Sequence, residues 1–89
     1  MRKIISKETY DALKAGLNAE DKKIIEGLER DCEDSEIDYW EFYRRVEAYR
    51  VGQFFTPEKF RELVASPMFK MRTYLMRRAG ELRGMKFSE

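Results

Sequence analysis

The stretch from Ser35 to Gly52 constrains this chain most, because it is apolar on two sides at once. At 100° per residue Tyr39, Phe42, Val46 and Tyr49 share one stripe, with Tyr43 at its edge. Ile37, Trp40, Ala48 and Val51 share an opposed stripe, and the clearly polar strip between them is narrow, carrying Asp38, Glu41 and Arg45. A helix with two apolar faces needs neighbours on both, so the spacing predicts a central, aromatic-rich helix over about residues 36–51. The single Trp lies in it, and large aromatic rings there would supply much of the buried area.

The rest of the chain is punctuated for helices, with no alternating strand pattern in competition. Ser6 can cap a helix over Lys7–Ala15, with Ile5 and Tyr10 spaced as a hydrophobic staple and Gly16 as the stop. Asn18, with Asp21 three residues on, opens a second helix from Ala19 to about Asp31, whose narrow apolar side is Ile24, Ile25, Leu28 and Cys32. That narrowness predicts a surface helix with its acids in water. Ser35 with Asp38 has the same form and would open the central helix, which Gly52 ends.

Thr56-Pro57-Glu58 is a cap followed by proline at the first helical position, with Phe55 and Phe60 as a staple. The helix it opens, Pro57–Ala65, is expected to bury Phe60, Leu63 and Val64. Ser66-Pro67 repeats the signal and opens a last helix to about Arg83, before Gly84. These two could also be one helix kinked at Pro67. On the last helix Met68, Met71, Leu75, Ala79 and Leu82 form one apolar stripe, opposite Lys70, Tyr74, Arg77 and Arg78 with Glu81. The expected fold is therefore all-α: one domain over residues 1–89, a small bundle of four to five short helices around the central one. So short a bundle need not cover both faces of that helix, which leaves room for a homodimer.

With 43% hydrophobic and 39% charged residues, the chain of 89 is expected to fold without disulfides or metals. One Cys excludes an internal disulfide, and nothing resembles a secretory leader or a membrane span, so the expected compartment is cytoplasmic. There is no His, which removes the commonest general base and the commonest metal ligand together. Cys32 lies among Asp31, Glu33 and Asp34, which suppress a thiolate, so it reads as a small semi-buried hydrophobe. Without a Gly-rich phosphate loop either, the chain is expected to be no enzyme and to carry no cofactor.

The net charge of +1 conceals an uneven layout. Residues 20–41 hold Glu20, Asp21, Glu26, Glu29, Asp31, Glu33, Asp34, Glu36, Asp38 and Glu41 against Lys22, Lys23 and Arg30. Residues 70–86 hold Lys70, Arg72, Arg77, Arg78, Arg83 and Lys86 against Glu81. A row of carboxylates at Glu26, Glu29, Glu33 and Glu36 is a candidate partner-binding face, since it can imitate the charge spacing of a nucleic-acid backbone. In size and charge layout the chain resembles small phage-encoded inhibitors of host defence systems. Lys70, Tyr74, Arg77 and Arg78, with Arg44, Arg45 or Arg83 assisting, form the alternative site, for nucleic acid or an acidic partner.

Two further resemblances rest on short motifs. Ile37-Asp38-Tyr39-Trp40-Glu41-Phe42 resembles the second half of an EF-hand loop and its exit helix. Counting back from Glu41 puts a cation, Arg30, at the first ligand position, so the reading adopted is an acidic helix connection with no metal. Thr56-Pro57-Glu58-Lys59-Phe60, Ser66-Pro67 and the run from Arg77 to Phe87 resemble the small winged helix-turn-helix of excisionases. That resemblance implies a helix after Ser66 in the major groove and a wing on phosphate. The first expectation for function is binding of a protein partner, as an inhibitor or adaptor, with nucleic-acid binding as the alternative.

Overall fold

The computed structural model describes residues 4–48 and 56–86. Five helices account for most of them: α1 (Lys7–Ala15), α2 (Ala19–Glu33), α3 (Tyr39–Ala48), α4 (Pro57–Ala65) and α5 (Pro67–Leu82). Among the described residues there is no strand. The fold is the all-α bundle that the punctuation predicts.

The caps explain the boundaries. The side chains of Ser6, Asn18, Thr56 and Ser66 accept hydrogen bonds from the backbone N–H groups of Thr9, Asp21, Lys59 and Phe69, each three residues on. Each thereby satisfies one of the orphan donors of its helix N-terminus. Ser66 also closes the preceding helix: its N–H and its hydroxyl both donate to the Leu63 carbonyl. Its extended backbone (φ −71°, ψ 145°), which the following proline favours, separates α4 from α5. They are two helices, not one with a kink.

The start of α3 differs from expectation. Ser35 does not cap it; the Asp38 carboxylate does, accepting from the Glu41 N–H at 2.8 Å. The residues before it form a turn organised by Asp34, whose carboxylate accepts from the Glu36 N–H (2.9 Å) and whose carbonyl accepts from the Ile37 N–H (3.3 Å). Asp34 competes successfully for this backbone, as Asp does in Asx turns. α2 accordingly runs on to Glu33, two residues past the expected Asp31.

Among the described residues the centre of the bundle is α5 rather than α3. α5 packs against each of the other four helices. The main core joins Tyr10 of α1, Ile25, Leu28 and Cys32 of α2, Phe42 and Val46 of α3, and Met71, Leu75 and Ala79 of α5. Of the two stripes assigned to α3, the one with Tyr39, Phe42 and Val46 turns inward. The other is divided: Ile37, ahead of the helix, packs partly buried against the core, whereas Trp40 is 61% exposed and Ala48 is exposed. Tyr49 and Val51 lie outside the described residues. Phe60 (43%) and Leu82 (53%) are likewise more exposed than their stripes suggested. α2, expected at the surface, supplies three core side chains to α5.

No helix among the described residues is long and apolar enough to cross a membrane. Both Asp34 and Asp38 spend a carboxylate oxygen on backbone N–H groups, and among the described residues no group of three or more acids or thiols is arranged to hold a metal ion. The stretch from Arg77 that the excisionase resemblance would turn into a wing is helical to Leu82.

Candidate docking surface

Three surfaces bear on function: the acids of α2, the bases of α5 and the outer face of α3. α2 does bring Glu26, Glu29 and Glu33 together, and with Arg30 and Asp34 they line an open depression of about 630 Å³. Glu36 lies beyond the helix, in the turn. Two of these carboxylates are already engaged. Glu29 receives the Lys14 ammonium at 2.8 Å and the Tyr10 hydroxyl at 2.6 Å, and Glu33 receives Arg78 Nε at 2.8 Å.

The basic residues of α5 meet the same fate. Arg78 is held by Glu33, Arg77 donates to Glu81 one turn on at 3.0 Å, and Tyr74 stacks on Tyr10 with ring centroids 4.6 Å apart. Of the four residues Lys70, Tyr74, Arg77 and Arg78, only Lys70 stands exposed with no ion pair among the described residues. Acidic α2 and basic α5 are packed neighbours, and the Arg78–Glu33 ion pair joins the two charged stretches in space. Between α1, α2 and α5 lies a cleft of about 370 Å³ whose bases, Lys7, Lys14 and Arg78, each have an acid beside them.

Burial tunes two groups here. The Tyr10 hydroxyl is pushed far above its ordinary value, first by burial and then by its hydrogen bond to Glu29. Burial, with Glu33 nearby, pushes the Cys32 thiol up to about 11. Cys32 is 1% exposed, and its thiol faces the Leu75 carbonyl. It is a packed thiol, unsuited to nucleophilic attack.

The outer face of α3 is different in kind. The Trp40 indole meets Tyr39 edge-on at 5.2 Å and Tyr43 at 6.0 Å, forming an aromatic cluster whose largest member faces solvent. One turn on, Arg44 is exposed and has no ion-pair partner among the described residues. Arg45 is committed, bridging Asp31 of α2 at 3.1 Å and Glu41 at 2.9 Å. Beneath the cluster Phe42, 0% exposed, anchors the helix. The sequence held part of the signal: Trp40 lies 200° from Phe42 on the wheel. The shortness of the chain also allowed for one face of this helix to stay uncovered, and among the described residues Trp40 is the large apolar side chain left open there.

Comparison with family models, with curated proteins and with solved structures finds no match.

Proposed function

We propose that the chain is a non-catalytic binding protein, an inhibitor or adaptor, that docks a protein partner on the outer face of α3. One observation carries the reading: the only Trp of the chain stands 61% exposed between two Tyr rings on a helix whose other side is fixed in the core. Trp, Tyr and Arg are the residues on which binding energy concentrates at protein interfaces. Trp40, Tyr43 and Arg44 put all three types within two turns. An exposed indole costs solubility, which a partner that buries it would offset.

The surface also describes the partner's chemistry. It should present a pocket or apolar side chain to Trp40 and a carboxylate within reach of Arg44. The acids of α2 fit a lesser role, because Glu29 and Glu33 are occupied by Lys14 and Arg78. Glu26 and Glu36 remain to steer a partner with nearby bases.

The test is affinity capture from extract of the source cells, with and without nuclease, comparing the native chain with Trp40→Glu. A partner retained by the native chain, insensitive to nuclease and lost with Trp40→Glu is the expected result. Capture that survives Trp40→Glu, or that nuclease removes, would reject the reading.

A further inference from the structure

The α5 C-terminus ends in a motif whose geometry serves something other than the helix itself. The Gly84 N–H donates to the Glu81 carbonyl at 3.0 Å and the Met85 N–H to the Gly80 carbonyl at 2.9 Å. That is a Schellman closure, and Gly84 takes the positive φ (80°) such an ending requires. The residue before it, Arg83, is thereby set at the helix end with its side chain turned across the bundle.

There the Arg83 guanidinium donates to four backbone carbonyls. Nε reaches Ile37 O at 2.7 Å and Nη2 reaches Asp34 O at 2.7 Å. Nη1 reaches Cys32 O at 3.1 Å and Ala79 O at 3.0 Å. Cys32 O is one of the last carbonyls of α2, where a cation also meets the negative end of the helix dipole. Asp34 and Ile37 are the first and last residues of the turn into α3. No acid is part of this contact; the planar fork is satisfied by main chain alone.

We propose that Arg83 is the positioning residue of the α3 docking face, clamping the turn 34–37 and so fixing how α3 presents Trp40. Ile37, whose carbonyl it holds, immediately precedes the Asp38 cap, and Trp40 follows in the first turn. The C-terminal end of the chain thus controls a surface contributed by its middle. The inference rests on the α3 face being the docking surface, but the clamp itself can be measured without a partner.

The experiment is amide hydrogen exchange on the full chain, native, Arg83→Lys and Arg83→Gln, with time-resolved fluorescence anisotropy of Trp40 on the same samples. The amides of Glu36, Ile37, Glu41 and Phe42 are expected to exchange at least about tenfold faster in both variants, while those of α1 change less than about twofold. Trp40 anisotropy should decay faster in parallel. Arg83→Lys should behave like Arg83→Gln, because an ammonium keeps the charge but cannot span carbonyls on three segments. Gly84→Ala is a milder second variant: a Cβ there meets nothing within 4 Å, so it disturbs only the backbone conformation that sets Arg83. It should give the same pattern, smaller. Uniform acceleration across all five helices, unchanged exchange at 36–42, or rescue by Lys would overturn the clamp. Loosened exchange with unchanged Trp40 anisotropy would reduce it to ordinary structural support. If the clamp behaves as expected while capture survives Trp40→Glu, the docking reading fails and the clamp does not.

Discussion

Arg78 Nε of α5 lies 2.8 Å from Glu33 Oε1 of α2, and this contact joins the basic end of the chain to its acidic stretch. Forty-five residues separate the two in sequence, so composition alone shows two opposed charge blocks where the fold has an interface. The pair is exposed, and its net worth is under about 1 kcal/mol. Arg78→Ala should therefore lower the denaturation midpoint only slightly in urea. With Arg77 and Arg78 drawn into ion pairs, duplex or single-stranded DNA should bind weakly at low salt. Arg77→Ala with Arg78→Ala should change that little; a steep, salt-sensitive loss would show that the basic helix reads nucleic acid.

Two aromatic residues two positions apart on α3 should behave as opposites. Phe42→Ala removes a fully buried ring from the core and should cost about 3–5 kcal/mol. For a small domain that approaches the whole stability, and the variant should be largely unfolded. Trp40, 61% exposed, meets the rings of Tyr39 and Tyr43, and Trp40→Ala should cost under about 1 kcal/mol. Urea melts followed by circular dichroism compare them directly. Equal costs would mean that Trp40 is structural.

Tyr10 ties α1 to α2 through its hydroxyl on Glu29 and to α5 through its ring on Tyr74. Tyr10→Phe keeps the stack and deletes the hydrogen bond to a charged acceptor, so it should destabilise by about 1–2 kcal/mol. Lys14 remains on Glu29, which keeps the loss from being larger. A double-mutant cycle with Glu29→Ala, which removes the acceptor, should show coupling between the two positions.

Stability should fall on the alkaline side, and the sign follows from the direction of the shifts. Cys32 and Tyr10 are both held protonated by burial, so the folded chain keeps protons that the unfolded chain releases. The Cys32 contribution is fully present below the thiol's ordinary value of 9.0 and is lost as pH rises towards about 11. The melting temperature should be flat from neutrality to about pH 9 on this ground and then decline. Near neutral pH the raised thiol value alone should slow alkylation of Cys32 about a hundredfold relative to a free thiol, with burial slowing it further. A thiol that alkylates rapidly without unfolding would contradict the packing.

Much of the fold was legible because it is written locally. Ser6, Asn18, Thr56 and Ser66 each announce a helix through one side chain and one N–H three residues on, and all four helices begin where those signals stand. The start of α3 is ambiguous in the sequence because Ser35 and Asp38 both have cap chemistry, and only the turn built by Asp34 decides between them. Which helix lies at the centre was not legible. The wheel shows that Trp40 opposes Phe42, but whether a neighbour covers it depends on packing between distant segments. The same holds for the candidate site. Glu29, Glu33 and Arg78 are legible as charged faces, yet the pairing of Glu33 with Arg78 is a property of the α2–α5 interface and that of Glu29 with Lys14 a property of α1 against α2. Arg83 looked like one more surface base, since nothing local reveals that four carbonyls converge on it.

The most direct test of the account is the accessibility of Trp40 to acrylamide, measured by fluorescence quenching before and after a captured, purified partner is added. The chain has one Trp, so the signal in the free protein has a single source. Quenching in the free native chain is expected close to that of the urea-unfolded chain, with strong protection in the complex. An indole already shielded in the free chain, or one just as open after the partner binds, would contradict the docking reading.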